Sequence, residues 1–319
     1  MSMEQQQSIA DEVLSAIESG KLELPTLPDI AIKIRELIDD PNVSADQLVN
    51  LLSADPVISA HIIKAANSAA AGGRRVDTLR AAIARLGYRM LRNLVMSVTV
   101  GNLFKANSPI IDRHLKTMWA HSRRVAASSF VLALHQKHLK PEQAMLAGMV
   151  HNLGAFPLCI YADRFHPRLE QAALEELVRR FSTRVGVALL NNWHFPPEII
   201  EVVAGYENLQ RTNESGMADY ADVVTIANLQ MPATAKFVAW QNISAATRLG
   251  CDPARCINFL VDYADQLNIA GEMLGLSRTQ QAVPAPDEKP MGTMNRQASE
   301  QPAAKESTGI MGGLRNLFR

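Results

Sequence analysis

The sequence is short of cysteine and of aromatic residues, and neither sign of charge is in excess. Three cysteines, Cys159, Cys251 and Cys256, in 319 residues are too few, and odd in number, for a disulfide framework of the secreted kind. Phe, Trp and Tyr make up only 5% of the chain, which argues against a platform of stacked rings for single-stranded nucleic acid. The 32 basic residues balance 32 acidic ones, so there is no global pull toward nucleic acid, anionic membrane or a basic partner. Residues 1–20 are polar and acidic with no apolar h-region, so no signal peptide is expected. No unbroken apolar run approaches the roughly 18 residues of a membrane span. Residues 94–104 come nearest and are interrupted by Ser97, Thr99 and Asn102. These absences point to a cytoplasmic protein.

What is present is aliphatic. Hydrophobic residues make up 47% of the chain, enough for one large core or two lobes. Ile30, Ile34, Leu37 and Ile38 recur at helical spacing. Ser44-Ala-Asp-Gln47 reads as a capping box ahead of the apolar stripe Leu48, Leu51 and Leu52. Asp55-Pro56 and Asp252-Pro253 each read as an N-cap followed by proline at the first helical position. Further amphipathic segments are expected over 78–86, 89–104, 112–138, 141–150, 169–181, 185–193, 197–206, 220–229, 234–247 and 253–274. Gly72-Gly73, Gly87, Gly154, Pro196-Pro197 and Gly250 punctuate them. No strand pattern is convincing, and the fold class read from this is all-α. From residue 277 to 308 Gln, Ala, Pro, Glu, Lys and Ser dominate, a composition that predicts disorder. The last stretch, 309–319, turns apolar again. Ile310, Met311, Leu314, Leu317 and Phe318 fall on one face if it is helical, with Arg315 and Arg319 beside them.

One ordered series carries an identity. It runs Leu24-Pro-Thr-Leu-Pro28, Asp55-Pro56, Ala66-Asn67-Ser68, Ala82-Ile-Ala-Arg-Leu-Gly87 and Leu91-Arg-Asn-Leu-Val95. It continues with Trp119-Ala-His-Ser122 and Ala147-Gly-Met-Val-His-Asn-Leu-Gly154. The series resembles the HDOD domain, a bacterial signalling module related to the metal-dependent HD phosphohydrolases. The resemblance covers residues 22–217. It implies an N-terminal helical bundle packed on a bundle like that of the HD hydrolases. The organisation expected is an N-terminal helix at 1–21, the HDOD domain at 22–217 and a helical extension at 218–276. A linker at 277–308 and an apolar peptide at 309–319 follow.

The catalytic relatives, by the same resemblance, hold metal with a His, an adjacent His-Asp pair and a distal Asp. His121 matches the first His and His151 the second. The Asp of the pair is replaced by Asn152, and the distal Asp aligns with Asn228. The later helix reads Phe181-Ser-Thr-Arg-Val-Gly186 and offers no imidazole, and Glu207 is the one carboxylate left where a His pair would fall. Divalent cations in a poorly hydrated pocket need carboxylates to balance their charge. Two imidazoles and two amides do not supply them. The expectation is therefore a protein that is not an enzyme, with no metal and no other cofactor, acting through a protein partner in a bacterial signalling pathway. Neither nucleic-acid binding nor stable membrane association is expected. The alternatives are a sensor that binds a small nucleotide in the old HD pocket through His121, His151 and nearby arginines, and a residual metal-dependent phosphohydrolase.

Three other features have bland and sharp readings. Arg74, Arg75, Arg80, Arg85, Arg89 and Arg92 form either a phosphate-binding patch or a salt-bridged face, and overall neutrality favours the second. Cys251 and Cys256 have the wrong spacing for a usual zinc knuckle. The terminal peptide of Ile310, Met311, Leu314, Leu317 and Phe318 is a candidate partner-binding hook, a weak membrane-surface contact, or a chain end with incidental apolar residues.

Overall fold

A computed structural model describes residues 3–19, 29–40, 42–69, 74–103, 106–166, 169–231, 240–251, 259 and 261–276. Every regular element among the described residues is helical. The second proline cap, Asp252-Pro253, lies outside them, as do the expected linker and the apolar peptide with Ile310, Met311, Leu314, Leu317 and Phe318.

Local chemistry starts the helices where the sequence placed them. Ahead of α3 (Ala45–Ser53), the Ser44 hydroxyl accepts from the Gln47 N–H at 3.2 Å, and the Gln47 side chain accepts from the Ser44 N–H at 2.8 Å. α4 (Pro56–Ala69) opens on Asp55, whose Oδ1 accepts from the N–H groups of Val57 and Ile58 at 2.9 and 3.0 Å. With α2 (Asp29–Asp39) and the first turns of α5 (Leu79–Leu103), these helices bury Ile34, Leu48, Leu52, Ile62 and Ile83 in an N-terminal bundle. Asn67 clamps the connection from α4 to α5. Its Nδ2 donates to the carbonyls of Ile63 and Val76 at 3.0 and 2.8 Å, and its Oδ1 accepts from the Val76 N–H at 2.9 Å. Arg85 adds bonds to the carbonyls of Ala66 and Arg74. α5 then breaks at Gly87, with φ 75° and ψ 163°, a conformation that a residue with a Cβ adopts only under strain. Past the break, the buried Asn93 donates to the Glu142 carbonyl and so ties α5 to α7 (Pro141–Val150).

The second bundle contains α6 (Pro109–Leu134), α7, α8 (Ala155–Phe165), α9 (Gln171–Asn192), α10 (Pro197–Gly205) and α11 (Tyr220–Leu229). α1 (Met3–Glu18) lies across α8 and α9 and buries Ile9, Val13, Leu14 and Ile17 there. α12 (Ser244–Arg248) packs on α11, and α13 (Ala264–Met273) packs on both α4 and α6, so it closes the two bundles together.

Several segments differ from the sequence reading. Among the described residues of 234–247, a 3-10 turn at Trp240–Asn242 precedes α12, and within 253–274 the helix is interrupted at Tyr263, after which α13 runs from Ala264. The stretches 169–181 and 185–193 form one continuous helix, α9, and the polar Ser182-Thr183-Arg184 does not break it. α8 lies outside the expected segments because Ala155 to Ala162 form a continuous apolar run, with Asp163 and Arg164 only in the last turn, and such a run has no helical period to read. Pro157 falls in its first turns, where a missing N–H costs little. Pro141–Phe165 does contain a window long and apolar enough to cross a membrane, although His151 and Asn152 interrupt its apolar run. Within the fold, 83% of that window is buried.

The start of α8 lies close against α9. A Cβ on Gly154 would overlap the Ser182 carbonyl oxygen and the Gly186 nitrogen, and would stand 2.7 Å from Gly186 Cα. All three are backbone atoms that no rotamer change can move. Gly154→Ala is expected to cost about 3 kcal/mol, the upper end of overpacking penalties. Urea unfolding of the two proteins measures this, and a loss below about 1 kcal/mol would show that α8 and α9 can slide apart cheaply.

Candidate functional site

The site begins with the approach of α6 and α7. A Cβ on Gly148 would lie 2.7 Å from Ser129 Oγ and 2.8 Å from Ala126 Cα, so the two backbones nearly touch. That approach sets the turn at 151–154 against residues 121 and 122 of α6. Ser122 Oγ donates to Asn152 Oδ1 at 2.7 Å. On the other side of α6, His121 Nε2 meets Asn228 Oδ1 of α11 at 2.9 Å. His151 turns its Nδ1 onto the Gly148 carbonyl at 2.7 Å. Its ring stands 5.6 Å from that of His121 and edge-on to Tyr206 at 4.9 Å, centroid to centroid. The four positions singled out from the sequence, His121, His151, Asn152 and Asn228, thus converge.

The protonation pattern follows from the partners. A carbonyl oxygen only accepts, so His151 Nδ1 and His121 Nε2 carry the hydrogens in these bonds. Burial is the main force on both rings and disfavours their charged forms. It holds His151, helped by repulsion from His121 and opposed by the Gly148 bond, at about 3. His121 is also lowered, by burial first and by the nearby Arg124, against the opposing bond to Asn228. Both imidazoles are neutral at physiological pH.

These residues do not fit a catalytic metal centre. The donor set is two neutral imidazoles and two amides, and both amide oxygens already accept hydrogen bonds. The nitrogen that His121 presents to Asn228 is an N–H, with no lone pair for a cation. Among the described residues, no group of three or more His, Cys, Asp or Glu side chains could hold a metal ion. Arg184 points away, to Asp11 of α1 at 3.2 Å, and the exposed Glu207 accepts from the Tyr206 hydroxyl at 3.0 Å.

The HDOD domain family matches residues 24–209, more than half of the chain. The chain belongs to the HDOD family. A Shewanella amazonensis SB2B structure, provisionally named a metal-dependent phosphohydrolase, is similar to this HDOD chain with a TM-score of 0.73 and 25% identity. That match covers 85% of this chain and all of the other. An HDOD domain protein of unknown function from Geobacter sulfurreducens has a TM-score of 0.63 at 22% identity, over 86% and 99% of the two chains. A Marinobacter aquaeolei VT8 structure, provisionally named a signal transduction protein, has a TM-score of 0.58 at 22% identity, over 85% and 66%. An uncharacterised protein of Treponema pallidum (strain Nichols) is 26% identical over 211 residues, 60% of this chain. The chain spans only 39% of that relative's length.

The HDOD chain also contains a charged centre that sequence reasoning missed. Asp219 and Asp222 form a second capping box, at the start of α11. Asp222, 1% exposed, accepts from Arg248 Nε and Nη2 at 2.7 and 2.5 Å and from Arg211 at 3.0 Å. Arg211 also pairs with Asp219. Asp222, Thr225 and Asn228 follow at three-residue steps along α11. Thr225 donates to the Tyr206 carbonyl at 2.8 Å. The network therefore sets the rotation of the helix that presents Asn228 to His121. A local Asp-x-x-Asp was the available signal, but its arginine partners lie 11 and 26 residues away.

Three of the six clustered arginines have partners on the fold. Arg80 pairs with Asp46, Arg85 with backbone carbonyls, and Arg92 with Asp39 at 3.8 Å. Cys159 is buried, and burial pushes its thiol up to about 12. Cys251 is half-buried, and Cys256 lies outside the described residues.

Proposed function

We propose that this HDOD protein is a non-catalytic regulatory module of bacterial signal transduction that acts by contact with a protein partner. The supporting observation is that both positions where HD hydrolases carry acids hold amides. Each amide is committed, Asn152 to Ser122 and Asn228 to His121. A pocket that has traded its charged ligands for internal bonds keeps the scaffold and gives up the means to activate water or neutralise phosphate. The regulatory assignment draws on the family and on the signalling name of the Marinobacter neighbour.

Metal analysis of the purified full chain tests this, with Asn152→Asp/Asn228→Asp as the comparison. The wild type is expected to retain iron, manganese or zinc at less than about one ion per ten chains, and the double variant to gain affinity for such ions, since carboxylates are the missing ligand type. Stoichiometric metal in the wild type, with phosphatase activity that a chelator removes, would overturn the proposal. A nucleotide sensor is tested in the same series. A nucleotide at 100 times its dissociation constant would add about 2.7 kcal/mol of stability. No thermal shift with mononucleotides or cyclic dinucleotides is expected.

A further inference from the structure

Away from the filled site, a cleft of about 550 Å3 opens between the C-terminal turn of α2, the middle of α5, α7 and the turn after α9. That volume is in the range of clefts that hold ligands. Its lining is two-sided. Met96, Leu146 and Phe195 give it apolar surface, and Glu36, Asp39 and Asp40 give it a carboxylate edge.

The carboxylates are placed against local preference. They stand at spacings of three and four on the last turn of α2 and just past it, so they share one face. All three are exposed, and the last turn of α2 contains no basic residue. The helix dipole puts negative potential at this end, so acids here raise the helix energy and a cation lowers it. Among the described residues, Arg92 is the one Lys or Arg lining the cleft, against three carboxylates. An anionic ligand is disfavoured. The fitting occupant is an apolar segment with two cationic groups about one helical turn apart.

We propose that the occupant is residues 310–319 of the same chain. Ile310, Met311, Leu314, Leu317 and Phe318 share one helical face, and Arg315 and Arg319 stand four apart beside it. That is the separation of Glu36 and Asp40. Gly312-Gly313 disfavours a preformed helix, so the peptide orders as it docks. Roughly 30 residues lie between the end of the described fold and Ile310, and a coil of that length spans roughly 30 Å. Fully extended, the same stretch reaches about 100 Å, well beyond the width of a fold of this size, so the tether is long enough to reach the cleft. Tethering supplies an effective concentration near the millimolar range, so a weak contact is enough to occupy it. The docked peptide covers the apolar lining until something with a better stripe displaces it. This deepens the proposed function by naming how partner access is regulated. It does not depend on the absence of catalysis.

Hydrogen exchange of the full chain, read by mass spectrometry, tests it. Three proteins are compared: wild type, Arg315→Glu/Arg319→Glu, and that pair combined with Glu36→Lys/Asp40→Lys. Glu36 and Asp40 are exposed, and Arg315 and Arg319 lie outside the described residues, so none of the four changes touches the described core. Peptides covering 36–40 and 194–196 are expected to exchange at least about threefold slower in the wild type than in the reversed chain, with slow exchange restored in the full swap. Equal exchange in all three proteins would overturn the proposal. So would protection that grows with protein concentration, because it would place the peptide on a second copy. The reversed chain is expected to capture the native partner more strongly than the wild type; capture by neither, with the exchange difference intact, would count against the partner reading alone.

Discussion

Alanine at position 222 is expected to remove about 3–5 kcal/mol of stability, the cost of stripping one partner from a buried ion cluster. The Asp222 carboxylate serves Arg248 through two bonds, Arg211 through one and the Asp219 N–H through another at 3.2 Å. Arg211 and Arg248 have side chains only 17% and 12% exposed. Without Asp222, Arg211 keeps Asp219, but Arg248 is left with the Ser244 hydroxyl at 3.3 Å. The uncompensated guanidinium, more than the lost attraction, sets the penalty. Urea denaturation of D222A against the wild type measures it. A loss below about 1 kcal/mol would mean that water reaches Arg248 once the carboxylate is gone. Because Asn228 lies two steps along the same helix, D222A should also loosen the bond to His121, seen as faster imidazole proton exchange in NMR spectra.

Acidification is expected to destabilise the protein well above the carboxylate range. His151 takes up a proton near 6.5 when the chain is unfolded and at about 3 in the fold. Between those values the unfolded state binds one more proton, so stability falls as pH falls, by about 1.4 kcal/mol per unit. The contribution is constant above 6.5 and saturates below 3. From pH 6.5 to 5 His151 alone should remove about 2 kcal/mol. His121 and His61 are lowered as well, by burial first, and steepen the same curve. Urea midpoints at pH 7.5 and 5 for the wild type and His151→Gln check this. The variant should lose about 2 kcal/mol less across the interval. Identical losses would show that the folded protein protonates His151 without strain.

The parts of the molecule that were legible in the sequence are those set by local rules. The Ser44 and Asp55 caps, the Gly87 break and the stripe of α3 each depend on residues within a few positions of one another. The candidate site was legible only through a resemblance, because His121 and Asn228 are 107 residues apart and neither position is distinctive alone. Resemblance also made the substitutions visible, since an Asn has meaning here only against an expected Asp. What stayed hidden has long-range causes. α8 opens on eight consecutive apolar residues that pack inside the fold, so its pattern is a continuous run rather than the periodic one that marks a surface helix. α9 was divided at Ser182-Thr183-Arg184, yet this stretch is polar because Arg184 reaches α1, not because the helix ends. The Asp222 cluster joins three separate stretches of chain and leaves no local trace beyond its cap.

Residues 121 to 123 of α6 also have a consequence for how the protein is made. Ser122 finds its partner 30 residues downstream, His121 finds its own 107 downstream, and Arg123 donates to the carbonyls of Leu274 and Gly275, 151 and 152 downstream. A ribosome delivers these partners in that order. The α6–α7 pair can close as soon as Asn152 has emerged. His121 waits for α11, and Arg123 stays hydrated until α13 is released. A nascent chain halted between Asn228 and Gly275 therefore shows water the apolar faces of α4 and α6 that α13 later covers. Such an intermediate is a natural client for chaperones. The centre of this protein is completed only as α13, the last of the described helices, arrives.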